Sequence, residues 1–344
     1  MTPPPDLVDK DALIAVLLAR ISALEAVVAT KCGCGADVSG VAQSARHVYD
    51  CVEIPPIEPD VTQVTLQGGL CPCCGGRFKA EVPEGLRPGS PFGPNLCALV
   101  VYLRSVQAIP LGRLRDVVFD MVGLEISEGA IVNILKASQD AFAAQTARFK
   151  QDLMAGTIIA SDETGMRVGK RNRRLWVFHH GLTAVFLGNR SRAQSVVEDF
   201  LGDWRPDYWL SDRYGGQIGW ALKDQQYCLA HLIRDVQYAV DKGDKVLTPG
   251  APAGVALHKV FRKIRAHPFV FVANREIEPT NNGSERAVRP CTIYRKVTNG
   301  FRAEWAAELY ADVRTAVETG RRRSVRAIDA IRLTLAGRPI PIPA

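Results

Sequence analysis

Three acidic residues raise the question of what chemistry this chain can perform. Asp162 closes the apolar run Thr157-Ile158-Ile159-Ala160-Ser161, and Asp212 closes Tyr208-Trp209-Leu210-Ser211. Glu285 sits in Asn281-Asn282-Gly283-Ser284-Glu285-Arg286. Carboxylates just beyond the ends of neighbouring strands can converge, because ligand sites of α/β sheets lie there. Three of them can hold two hard cations, which take oxygen ligands in preference to thiolate or imidazole. Two such ions about 4 Å apart stabilise the attacking and leaving oxygens of a phosphodiester displacement, and one acidifies a bound water or 3′-hydroxyl. Taken singly, each residue has a plainer reading. An Asp after a strand makes a turn or a helix cap, and a Glu in a first helical turn answers the macrodipole.

A second kind of chemistry is written in the cysteines. Of the nine present, five fall at close spacing in two groups, Cys32-Gly33-Cys34-Gly35 and Cys71-Pro72-Cys73-Cys74-Gly75-Gly76. In a reducing compartment such spacing points to metal rather than disulfides. Pro and Gly shape a knuckle in which backbone amides face the thiolates. The spacing predicts that Cys32, Cys34, Cys71 and Cys74 hold one Zn2+, with Cys73 spare. The first pair is tighter than the usual C-x-x-C, and the alternative is a relic finger of free thiols. Cys51 and Cys97 read as packing residues.

The formal charge is +7. An excess of this size attracts nucleic acid or an anionic surface only where it is concentrated. From Gly165 to Val197 there are seven Lys/Arg and no Asp or Glu, and a second cluster gathers at Arg321, Arg322, Arg323 and Arg326. Arg167, Lys170, Arg171, Arg173 and Arg174 read as a turn after the first acidic strand, where they would contact DNA backbone or simply be solvated. Arg286 and Arg289 follow Glu285 closely enough to pair with carboxylates or hold a phosphate. Trp176 and Trp209 lie inside strands and are expected in the core.

These groups need elements to position them. Ile14, Leu17, Ile21, Leu24 and Val28 make an a/d seam, so residues 1–30 read as a helix, either a short coiled coil or an amphipathic helix on its own protein. Residues 31–82 form the cysteine module, with strand-like runs such as Val61 to Leu66, and 83–94 a Pro/Gly linker. Residues 95–150 read as a helical segment. From 151 to 335 the order changes to strands Thr157–Ser161, Leu175–His179, Thr183–Leu187 and Tyr208–Ser211, then helices Leu229–Val240 and Val255–Ile264. A last helical stretch from Asn282 to Thr319 is expected to break near Pro290. This order predicts a mixed α/β domain around a central sheet. No eighteen-residue apolar window exists, and the Pro-rich, acidic start is unlike a secretory signal, so the expected compartment is the cytoplasm.

Several segments resemble transposases of the insertion-sequence-66 family. They are Ser161-Asp162-Glu163-Thr164, Leu210-Ser211-Asp212-Arg213-Tyr214, Cys228-Leu229-Ala230-His231-Leu232-Ile233-Arg234, the long Pro279-Thr280-Asn281-Asn282-Gly283-Ser284-Glu285-Arg286-Ala287-Val288-Arg289-Pro290, and Tyr294-Arg295-Lys296. The resemblance implies an RNase H-like catalytic domain with Asp162, Asp212 and Glu285 as a triad for two Mg2+ or Mn2+ ions. It also implies an N-terminal zinc-binding module. The implied partners are the terminal inverted repeats of a mobile element and its target DNA. Self-association on DNA, helper proteins of the element and a nucleoid location are implied as well. Cys228 and His231 match a C-x-x-H pair carried by many such transposases. Two residues cannot close a zinc site, which leaves them a structural or DNA-positioning role. One departure is that Asp212 and Glu285 are only 73 positions apart. The long insert usual between them is shortened, at about 241–270. The competing readings are a catalytically inactive, zinc-containing DNA-binding protein and an RNase H-like nuclease that hydrolyses without joining.

Overall fold

The computed structural model describes residues 29–45, 47, 54, 56–83, 90–241, 252–265 and 267–343. The expected N-terminal helix apart from residues 29 and 30, half of the linker (84–89) and residues 242–251 of the shortened insert lie outside these residues, as does Cys51. The chain divides into two compact units, Met1–Pro55 and Pro56–Ala344. In the first, the described backbone folds into a tight turn closed by a bridge between Lys31 and Asp37.

The second unit begins with a small antiparallel hairpin, β1 (Gly68–Leu70) and β2 (Arg77–Lys79). Residues 61–66, expected to be a strand, are irregular. Four helices follow: α1 (Pro94–Val101), α2 (Leu111–Val122), α3 (Glu128–Ala137) and α4 (Gln139–Met154). Their ends carry the expected signals. Pro94 occupies the first turn of α1, Gly123 takes the left-handed conformation after α2, and Ser127 Oγ accepts from Ala130 N at the start of α3.

The centre is a five-stranded mixed sheet of β3 (Ile158–Val168), β4 (Arg171–His180), β5 (Thr183–Asn189), β6 (Tyr208–Ser211) and β7 (Asp224–Tyr227), in the order β5-β4-β3-β6-β7. β3, β4 and β5 form an antiparallel meander, whereas β6 and β7 run parallel to β3. Gly169 and Lys170, both at positive φ, make the two-residue turn between β3 and β4. The helices that follow are α5 (Gln194–Leu201, between β5 and β6), α6 (Leu229–Asp241), α7 (Pro252–Ile264), α8 (Val270–Ala273), α9 (Asn282–Thr298), α10 (Glu304–Arg322) and α11 (Ala327–Leu335).

Period-two alternation along β4 feeds two cores. Trp176 and Phe178 pack with Ile159, Trp209 and residues of α4, α5 and α10 on one face. Leu175 and Val177 pack with Met166, Val168 and residues of α9 and α10 on the other. Both tryptophans are therefore core residues, as expected.

Three expectations about element ends are corrected. β3 does not stop at Asp162 but continues to Val168, because β4 pairs with it after its parallel pairing with β6 has ended. Four of the five basic residues placed on a turn therefore lie on strands, Arg167 on β3 and Arg171, Arg173 and Arg174 on β4. The last helical stretch runs through Pro290 and breaks instead at Asn299 and Gly300, both at positive φ. That break lets Phe301 N donate to Arg167 O and Gly169 N to Phe301 O, each at 2.8 Å, which ties the α9–α10 connection to the end of β3. Among the described residues, no helix is long and apolar enough to cross a membrane.

Candidate active site

The sheet register places the two aspartates. β3 pairs with β6 as Ile158 with Tyr208, Ile159 with Trp209 and Ala160 with Leu210. The pairing ends there, so Asp162 and Asp212 each stand two residues past the paired ends of neighbouring parallel strands, and Asp162 projects to the same side of β3 as Thr164. That side of β3 faces α9, where Thr164 Oγ1 lies 3.3 Å from Thr292 Oγ1. Glu285 stands in the first turn of α9, its backbone N–H donating to Asn281 O. Asp162 Oδ1 accepts from Glu163 N and Asp212 Oδ1 from Tyr214 N, both at 2.8 Å.

The electrostatics reflect this gathering. Burial pushes the Asp162 carboxyl up to about 7, and the charges of Glu163, Asp212 and Glu285 push in the same direction. The acidic groups thus repel one another through a poorly solvated space, but among the described residues their ligand atoms do not close into one group within 4.8 Å, as those of Cys228, His231 and Glu285 do.

A polar clamp fixes the two elements that carry Asp162 and Glu285. Asn281, almost wholly buried, donates from Nδ2 to Ser161 O at 2.8 Å, and its Oδ1 accepts from Ser284 Oγ at 2.6 Å. Ser284 Oγ lies 2.8 Å from His179 Nε2. Because the serine proton goes to Asn281, His179 must donate from Nε2. Burial holds this imidazole well below its ordinary pKa, so it is neutral. One asparagine at the start of α9 therefore grips the backbone immediately before Asp162. A second brace lies on the opposite face of β3. Glu163 accepts from Arg192 at 2.7 Å and from Gln217 Nε2 at 2.5 Å, and Gln217 Oε1 accepts from Ser161 Oγ. Arg192 also stacks on the ring of Tyr214, two residues after Asp212. Sequence reasoning assigned no role to Glu163, Asn281, Ser284, His179, Arg192 or Gln217. Glu163, Asn281 and Ser284 stood inside the motifs that carried the resemblance. The other three carried no local signal.

Cys228 and His231 come to the same place from α6. Together with Glu285 they bring three ligand atoms within 4.8 Å of one another. Cys228 Sγ accepts from Asn281 N at 3.1 Å. Burial raises the Cys228 thiol, but His231 and the Asn281 N–H outweigh it and leave the pKa below its ordinary value. Arg234 Nη2 is 3.6 Å from Glu285 Oε1, so the guanidinium nearest this carboxylate comes from α6.

The basic residues divide. Arg167, Arg173 and Arg174 line, with Arg295 and Lys296, a cavity of about 550 Å3 beside the far half of β3. Arg295 Nη1 donates to Gly165 O at 2.8 Å. Lys170 and Arg171 are exposed at the β3–β4 turn. Arg173 is buried and paired with Glu304 at 2.5 Å. Arg286 and Arg289 are exposed on α9, and Arg286 borders a different cavity, with Arg314 and Glu318. The second basic cluster is divided: Arg326 and Arg321 are exposed, Arg321 and Arg322 bind Glu318, and Arg323 is buried against Asp152 and the carbonyls of Leu182 and Ile340.

The cysteine pairs lie on separate units, each on its own turn. In the first unit Gly35 N donates to Cys32 O at 2.8 Å, and Cys32 N to Ala36 O. In the second, the loop between β1 and β2 is closed by Gly75 N to Cys71 O and Cys71 N to Gly76 O, both at 2.8 Å. The backbone amides of Cys74 and Cys73 face the Cys71 sulfur and hold its thiol below the ordinary range.

Comparison with known proteins adds the family. The model of the Transposase IS66 family matches residues 89–266 and 242–309, a span from just before α1 into α10. No curated protein matches the chain significantly. The matched span covers well over half of the chain and includes Asp162, Asp212, Cys228, His231 and Glu285. This chain belongs to the IS66 family of transposases.

Proposed function

We propose that the chain is an Asp-Asp-Glu transposase that cuts and rejoins DNA at a site made by Asp162, Asp212 and Glu285, on an RNase H-like sheet. The observation that carries this reading is geometric: Asp162 and Asp212 follow the paired ends of neighbouring parallel strands, and Asn281, at the start of the helix that bears Glu285, is bonded to the backbone just before Asp162. A meander whose first strand is central, followed by two strands parallel to it, supports the fold assignment.

The three carboxylates would hold two Mg2+ or Mn2+ ions. When bound, such ions stabilise the attacking and leaving oxygens of in-line phosphodiester displacement and acidify the nucleophile. The chain's own residues do the positioning. Asn281 holds the Ser161 backbone, and so fixes where Asp162 stands relative to the first turn of α9. Glu163, pinned by Arg192 and Gln217, stiffens β3 from the opposite face. The cavity with Arg167, Arg174, Arg295 and Lys296 along its wall suits the DNA backbone, with phosphate contacts that set position rather than sequence. The remaining predicted DNA contacts, Lys170, Arg171, Arg286 and Arg289, are exposed and free to add to this, whereas Arg173 serves the fold through Glu304. Cys71 and Cys74 on the β1–β2 loop are proposed zinc ligands, and Cys32 and Cys34 offer a second pair on the first unit.

The test is direct. Purified protein with Mg2+ or Mn2+ and labelled ends of its element is expected to nick and join DNA. Asp162→Asn should abolish both while DNA binding persists. Equal behaviour of wild type and variant would defeat the catalytic reading and leave a DNA-binding protein. Nicks without joined products would point to a nuclease.

A further inference from the structure

We propose that Cys228, His231 and Glu285 form a site for a thiophilic divalent cation of the Zn2+ class, separate in chemistry from the hard-cation triad. The three residue types are the sulfur, nitrogen and oxygen donors that zinc takes, and their ligand atoms lie within 4.8 Å of one another. Cys228 immediately precedes α6, its carbonyl accepting from Leu232 N, and His231 lies in the first turn of that helix. Glu285 meets them from the first turn of α9.

Two features point to an ion rather than to a self-sufficient polar cluster. His231 Nδ1 and Glu285 Oε1 are both shut off from solvent, and no hydrogen bond of ordinary geometry reaches either atom, although the His231 imidazole interacts with the Cys228 thiol beside it. Nδ1 and Oε1 lie 3.7 Å apart, too far for a hydrogen bond. Ligands at ordinary Zn–N and Zn–O lengths around a tetrahedral ion stand about 3.3 Å apart, so a small inward movement would seat one. The Asn281 N–H that donates to Cys228 Sγ is the kind of support from outside the ligand set that favours and orients a metal-bound thiolate. Arg234 approaches Glu285 Oε1 at 3.6 Å but is mostly exposed, and its long side chain can swing away when a dication takes its place. Three protein ligands leave a fourth position open, as in zinc sites that keep an exchangeable water. Glu285 then stands between two cation classes, thiophilic on the α6 side and hard on the side of Asp162 and Asp212; this last clause rests on the function proposed above.

Cobalt titration of the full-length chain tests the site, because a thiolate bound to Co2+ gives an intense charge-transfer band. In a chain carrying Cys32→Ser, Cys34→Ser, Cys71→Ser, Cys73→Ser and Cys74→Ser, about one equivalent of Co2+ should still produce the band. Adding Cys228→Ser should remove it, and Glu285→Gln should weaken Co2+ binding about tenfold or more. Should the fivefold variant fail to fold, Cys228→Ser alone in the otherwise native chain should lower the thiolate-bound Co2+ by one equivalent. Asp162→Asn should leave the band intact while ending DNA joining, so failure of this site and failure of the catalytic reading give different results. No band in a folded fivefold variant, or a band and stoichiometry that survive Cys228→Ser, would overturn the proposal.

Discussion

Asp162→Asn should make the metal-free protein more stable, and increasingly so as pH rises. The carboxyl titrates near 7 in the folded chain against an ordinary value of 3.8. An acid whose folded pKa is raised binds its proton more tightly in the fold, so ionising it costs stability. The penalty is absent below pH 4, grows between about 4 and 7, and is constant above. Each pH step across that window is worth about 1.4 kcal/mol. The whole gap comes to roughly 4 kcal/mol, and water reaching the partly exposed group trims it toward about 2. Asn has nearly the same shape and keeps the oxygen that accepts from Glu163 N, so little else changes. Urea denaturation in chelator at pH 5, 6, 7 and 8 should show the variant ahead by a margin that widens through this range and then levels. At pH 8, millimolar Mg2+ should close part of that margin by stabilising the wild type alone, since an ion that binds only the folded chain shifts the equilibrium by mass action. A margin that is flat with pH, or a variant weaker than wild type throughout, would refute the electrostatic account of the acidic cluster.

Other perturbations follow from the same contacts. Asn281→Ala leaves the Ser161 carbonyl and the Ser284 hydroxyl without their partner in a buried place, a loss of about 1–3 kcal/mol by denaturant melt, and should cut DNA joining more than DNA binding. Glu318→Gln removes the shared partner of Arg321, Arg322 and Arg314 inside the protein and should cost about 3 kcal/mol at pH 7. The arginines hold the Glu318 carboxyl below its ordinary value against the push of burial. Its contribution is therefore present above about 4.5 and fades as pH falls, so the wild-type and Gln melts should converge in acid. Arg167→Ala with Arg174→Ala should lower the slope of log affinity against log salt for DNA by roughly 1 to 2, and an unchanged slope would remove those residues from the DNA path. Cys71→Ser with Cys74→Ser should reduce the zinc carried by the chain, read by atomic emission, and unchanged zinc would end the case for that knuckle.

Much of the central domain was legible because its strands are apolar and short. The runs at Ile158, Leu175, Thr183 and Tyr208 gave four of the five strands of the sheet, with their order in the chain. β7 escaped because Asp224-Gln225-Gln226-Tyr227 shows no apolar alternation. Its buried glutamines are satisfied by partners far along the chain, Gln225 by Ser211 Oγ and Gln226 by Pro268 O, which no local pattern announces. The reach of β3 past Asp162 was hidden for a related reason. The segment Glu163-Thr164-Gly165-Met166-Arg167 reads as polar loop until β4 supplies the backbone partners that make it a strand. Pro290 was read as a break, yet the helix runs through it, and the left-handed pair Asn299 and Gly300 ends it instead.

The types of the reactive groups belong to the sequence: two aspartates behind apolar strands, a glutamate in a first helical turn, a C-x-x-H pair and a cysteine knuckle. Those identities fix which cations each group prefers, since ligand hardness is a property of the atoms alone. Only the tertiary structure decides which groups share a space. The parallel pairing of β3 with β6 sets Asp162 and Asp212 just past neighbouring strand ends, Asn281 joins the start of α9 to the end of Ser161, and the approach of α6 to α9 brings Cys228 and His231 to Glu285. Neighbours separated by fifty residues or more are brought together by burial and backbone pairing summed over the whole fold, a quantity that no short stretch of sequence contains.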